Sequence, residues 1–162
     1  MCPLIRPLNY DPSFAGKLAN WAIRGDIVRA LVELVTNSDD SYRRLEAKGV
    51  PGSGLIKVAI NRKHQEAIIE VTDEAEGFDD EKMSDRVGTY AADTSGFTDG
   101  LSVRGIFGRG LKDAILGLGE GKVQSIIDGF YYECSLDSRN FKLEDPYKLK
   151  KARKNVIQKL WV

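Results

Sequence analysis

The stretch Arg29-Ala-Leu-Val-Glu33-Leu-Val-Thr-Asn37-Ser-Asp-Asp40-Ser-Tyr-Arg43 limits what this chain can become. Ile27, Val28, Leu31, Val32, Leu34 and Val35 recur at helical spacing and give a broad apolar face. At 3.6 residues per turn, Asp26, Arg29, Asn37 and Asp40 lie within roughly 40° of Glu33. A carboxylate, an amide and a second carboxylate therefore share one side of a long helix. Gly25-Asp26 opens it, with Asp26 as N-cap, and Gly49 ahead of Pro51 closes it. Such a face is either solvated or the wall of a site, and the remaining motifs decide which.

Lys+Arg and Asp+Glu are both 24, so no global field selects nucleic acid, a membrane surface or an acidic partner. Cys2 and Cys134 give neither a disulfide framework nor metal-ligand spacing, and a reducing cytoplasm fits them best. No run is long enough to span a bilayer. The lone His64 falls in the polar turn Arg62–Glu66 and reads as an exposed turn residue.

The expected organisation is one domain over residues 1–162, with a core at about 13–135. A proline-containing arm covers 1–12 and a basic segment 146–162. The whole reads as the N-terminal part of a longer protein. Ser13 caps a short helix through Trp21. Leu55–Ile60 and Ala67–Val71 read as a hairpin, as do Lys122–Ile127 and Phe130–Cys134 around Asp128-Gly129. Asp79–Val87 and Leu111–Leu118 read as short helices. Residues 88–104 are rich in glycine and small polar residues, the composition of a functional loop or lid. In the basic piece Tyr147–Val162, Leu149, Ala152, Val156 and Leu160 make an apolar stripe at helical spacing that covers the sheet or touches a partner, with a solvated basic face the default over nucleic-acid contact.

Three pieces carry chemistry. The helix offers Glu33, Asn37 and Asp40. The second strand runs into Thr72-Asp73-Glu-Ala-Glu-Gly77-Phe78. The glycine-rich segment ends in Gly105-Ile-Phe-Gly108-Arg109-Gly110-Leu111-Lys112 and opens a helix. In this order, on these elements, they resemble the Bergerat-fold ATP-binding domain of gyrase B, the ninety-kilodalton heat-shock chaperones, histidine kinases and mismatch-repair ATPases. The lid and the Gly-x-Phe-Gly-x-Gly-Leu-Lys run look closest to the Microrchidia-type ATPases. The resemblance covers about residues 20–135. It implies an α/β (α+β) two-layer sandwich, with a mixed, mostly antiparallel sheet and helices on one face. It also implies ATP and Mg2+ as cofactors, ATP or ADP as partner, and a possible nucleotide-dependent homodimer.

Each position has a chemical part in that expectation. ATP hydrolysis needs a group that orients and deprotonates water, a magnesium ion, and donors for the phosphate oxygens. Glu33 is the candidate base. Asn37 offers a neutral amide oxygen to magnesium, while the phosphates supply the charge. Asp40 shares its face. Gly105, Gly108 and Gly110 admit phosphates close to the backbone, and N–H groups at the start of the following helix face the anion. Arg109, Leu111 and Lys112 belong to the same run, and Thr94 and Ser95 offer hydroxyls nearby. Asp73 at a strand end accepts the adenine amino proton, and Gly77 completes the turn.

Two departures from the family's pattern stand out. The turn after the strand is Asp-x-Gly-x-Gly in the family, and Ala75 replaces the middle glycine. A positive φ there would cost alanine about 1 kcal/mol. Second, the chain ends soon after its last hairpin, without the family's further strands or a transducer domain. Turnover is therefore expected to be slow. A nucleotide-sensing module without turnover is the main alternative. A protein-histidine kinase catalytic domain is a weaker one, since such kinases usually carry Asn at the Glu33 position and Lys or Arg at the Asp40 position.

Overall fold

The computed structural model describes residues 14–63, 66–89, 109–137, 139–150 and 158–161. They form an α+β fold in which helices pack against a seven-stranded sheet. Helix α1 is Phe14–Ile23 and α2 is Ile27–Ala47. Strands β1 (Ile56–Lys63) and β2 (Glu66–Asp73) form the first hairpin. The short α3 (Asp80–Met83) runs into a single π-helical turn, Ser84–Gly88. Helix α4 is Gly110–Leu118. Then follow β3 (Glu120–Ile127), β4 (Phe130–Asp137), β5 (Phe141–Leu143), β6 (Tyr147–Lys148) and β7 (Gln158–Trp161).

Local chemistry sets several boundaries. Asp26 Oδ1 accepts from the N–H groups of Val28 (2.9 Å) and Arg29 (3.4 Å), capping α2. Gly49, at φ +69°, turns the chain out of α2 while its N–H donates to Glu46 O at 2.9 Å. Asp128 and Gly129 take φ of 52° and 78°, the left-handed pair that joins β3 to β4 by a tight turn.

The sheet order is β1-β2-β7-β3-β4-β5, with β6 also on β4. Every pairing among the described residues is antiparallel, so the expected mixed sheet is instead wholly antiparallel there. Ile69 and Val71 of β2, Val123 of β3 and Cys134 of β4 alternate onto one buried face with Ala30, Leu34, Ala114 and Ile115 of the helices. Burial pushes the Cys134 thiol up to about 12, so it is an inert core group. Helix α1 packs on α4 through Gly117, where a Cβ would stand 2.6 Å from Ile23 Cβ.

The helical spacing read in the C-terminal piece is corrected at both its ends. Residues 147–148 and 158–161 are strands, and β7 lies between β2 and β3, pairing with Glu70–Asp73 on one side and Lys122–Gln124 on the other. A spacing of four residues fits one face of a helix and, being even, one face of a strand. The unpaired backbone edges that β2 and β3 would otherwise present decide for the strand. The expected lid at 88–104 falls almost wholly in residues 90–108, outside the described residues; Gly88 ends the π turn. Among the described residues no helix is long and apolar enough to cross a membrane.

Candidate functional site

Helix α2 is the spine of the candidate site. Its apolar side enters the core through Ala30 and Leu34. Its polar side meets two distant segments, the turn after β2 and the first turn of α4.

The first meeting is with the turn. Asp73 ends β2 and is 1% exposed. Ser38 Oγ donates to Asp73 Oδ2 at 2.6 Å, and the Ala75 N–H donates to Oδ1 at 3.0 Å. Burial raises the Asp73 carboxyl above its ordinary range, outweighing those two bonds and the nearby Arg44 guanidinium. Farther along α2, Ser41 Oγ accepts from the Glu76 N–H at 3.0 Å, and the Tyr42 hydroxyl accepts from the Glu74 N–H at 3.0 Å. Tyr42 also donates to Leu55 O at 2.9 Å, tying the start of β1 to the same helix.

Arg44 Nε and Lys48 Nζ both donate to Glu76, at 2.6 and 2.5 Å. Burial alone would raise the Glu76 carboxyl, but these two cations hold it below its usual range. Phe78 N–H donates to the buried Ser125 Oγ at 2.8 Å and anchors the far end of the turn to β3.

The positive-φ positions among the described residues are Arg24, Asp128 and glycines 25, 49, 54, 119 and 129. Neither Ala75 nor Gly77 is among them. The strain expected for alanine in this turn is therefore absent, and Ala75 is instead buried. Hydrogen bonds from α2 shape this turn, and no left-handed residue is needed at position 75.

The second meeting is with α4. Gly110 opens that helix, and a Cβ placed on it would overlap Glu33 Oε2. The half-buried Glu33 carboxylate thus sits against the helix start, where backbone N–H groups have no intrahelical acceptor. Burial raises its carboxyl above the ordinary glutamate range, and the Asp113 carboxylate adds to the effect. Asp113 pairs with Arg109 at 3.5 Å across one helical turn.

The sequence-derived residues are thus placed as follows. Glu33, Asn37 and Asp40 lie on α2, and Asp40 is buried. Asp73 and Gly77 bound the turn after β2. Arg109 stands at the N-cap position of α4 without a side-chain capping bond, Gly110, Leu111 and Lys112 form its first turn, and Leu111 enters the core. Lys112 is buried too, its ammonium given to two backbone carbonyls. Thr94, Ser95, Gly105 and Gly108 lie outside the described residues.

Reading the sequence alone missed Ser38, Ser41, Tyr42, Arg44, Glu76 and Asp113. The polar series Ser38-Ser41-Tyr42 at one-turn spacing was the available signal for three of them.

One observation bears on a cation. The Asn37 Nδ2 atom is buried and has no hydrogen-bond partner among the described residues. Turning the amide over places its oxygen there, an unsatisfied hard ligand of the kind magnesium takes. Among the described residues no group of three or more His, Cys, Asp or Glu side chains could hold a metal ion. No protein-family model matches this chain, and no curated protein sequence does.

Proposed function

We propose that this chain binds ATP with magnesium and hydrolyses it, in a Bergerat-type fold. One observation supports the reading above others: α2 presents Glu33 to the start of α4 and Ser38 to Asp73, so three separated motifs meet on one helix. In this reading Asp73 accepts the adenine amino proton, using lone pairs left beside its bonds to Ser38 and Ala75. The start of α4 faces the phosphates. Asn37 holds magnesium, which when bound neutralises charge developing on the transferred phosphoryl group. Glu33 orients the water and accepts its proton. Its raised pKa makes it a stronger base than an exposed glutamate.

Binding without turnover is the second reading. It loses the support expected from a strained Ala75, since that residue takes no positive φ. Glu33→Ala separates the two. Under hydrolysis, ATP affinity stays within a few-fold while turnover falls by about 10²–10⁴. A parent protein that binds ATP and turns none over with magnesium establishes the sensor instead.

A further inference from the structure

Lys112 is the third residue of α4 and is 1% exposed. A lysine is poorly suited to that place. The positive end of the helix dipole disfavours a cation in the first turn. Burial lowers its ammonium to about 8; Asp113 opposes that shift and Arg86 adds to it. Specific acceptors offset these costs. Lys112 Nζ donates to Arg86 O at 2.7 Å and to Thr89 O at 2.8 Å, 26 and 23 residues away in the chain. Arg86 lies in the π turn and Thr89 directly follows it. Carbonyls at the end of a helical turn lack intrahelical donors, and π turns are rarely stable unaided. Lys112 therefore caps the π turn from a different element.

We propose that Lys112 is a positioning residue that fixes the first turn of α4 against the π turn and so holds Gly110 where it meets Glu33. The tether does not depend on a full positive charge, because a neutral amine keeps two N–H groups for the two carbonyls. Its catalytic consequence rests on the proposed ATP reading; the tether itself does not.

Amide hydrogen exchange on the full chain tests the tether in Lys112→Met and Lys112→Arg. Methionine keeps the bulk and removes both donors. It is expected to speed exchange at residues 86–89 and 110–113 about tenfold or more, while the β3–β4 hairpin stays within about twofold of the parent. Arginine, which keeps a cation with several donors, is expected to restore much of the protection. Parent-like exchange in a folded Lys112→Met protein would overturn the proposal. So would a uniform rise in every element, which means only lost global stability. Should methionine prevent folding, Lys112→Gln, with one amide donor group, is expected to give intermediate protection confined to the same stretches.

Turnover adds a second arm. Lys112→Met is expected to lower kcat about tenfold with ATP affinity held within about threefold. Lost affinity at unchanged kcat would place the lysine on the nucleotide and overturn the positioning role. A parent without turnover defeats the hydrolysis reading and leaves the exchange result to decide the tether.

Discussion

The Glu33 carboxylate fills the space in front of Gly110 so closely that a Cβ on the glycine would overlap Oε2. This contact joins α2 to the start of α4 across 77 positions of the chain.

Gly110→Ala should therefore displace Glu33 or the helix start. The atom displaced is the far end of a flexible side chain, so the expected loss of stability is about 1 kcal/mol, the order of one side chain pushed off its rotamer. Combined with Glu33→Ala, which empties the space, the alanine should become almost harmless. Denaturant unfolding of the two single variants and the double variant measures the coupling. Strictly additive losses would show that the two residues do not share the space.

Glu33 has a raised carboxyl pKa, caused first by burial and then by Asp113. Between the ordinary glutamate value and the raised one, the folded chain holds the proton more tightly than the unfolded chain. The stabilising contribution is present below the ordinary value and is lost as pH rises through the folded one. Glu33→Gln should accordingly gain stability relative to the parent as pH climbs through that window. Asp113→Asn removes one cause of the shift, so the acid limb of any hydrolysis profile should move to lower pH. A limb that stays in place would detach Asp113 from the base.

Ala75→Gly tests whether the turn after β2 needs a left-handed residue. Ala75 takes no positive φ, so glycine relieves no strain and adds freedom to the unfolded chain. A loss of about 0.4–1 kcal/mol is expected by denaturant unfolding. A gain of similar size would mean that alanine is strained there after all.

Much of this fold could be read locally. Apolar spacing and the Asp26 cap located α2, and Asp128-Gly129 located the β3–β4 turn, because both signals lie within a few residues. Strand β7 could not be read in that way. Leu160 falls on an apolar spacing that serves helix and strand alike, and only the distant partners β2 and β3 choose between them. In the candidate site, Glu33, Asn37 and Asp73 were picked out by residue type and order. The fittings that hold them were not. Arg44 finds Glu76 across 32 positions, and Lys112, legible as part of a glycine-rich run, finds its acceptors in the π turn.

Lys112 also predicts a pH effect of opposite sign to that of Glu33. Its ammonium titrates near 8 in the folded chain, against an ordinary 10.5. Between those values the unfolded chain binds more protons, so this group makes stability rise with pH across the window, by at most about 3 kcal/mol. Below pH 8 the cost of the buried cation is fully present. The stability difference between parent and Lys112→Met should therefore shift in favour of the parent from pH 8 towards 10. A difference independent of pH would contradict a buried, depressed lysine.

The proposed nucleotide site lies between α2, the turn after β2 and the start of α4. Calorimetric titration of the parent and of Asp73→Asn with ATP and magnesium tests it most directly. Asp73 is buried and bonded to Ser38 and Ala75, and asparagine keeps its size while removing the charged acceptor. Saturable binding by the parent is expected, with a loss of about 1.5–3 kcal/mol in the variant and the circular dichroism of the two alike. No binding by the folded parent, or equal affinity in the two, would contradict it.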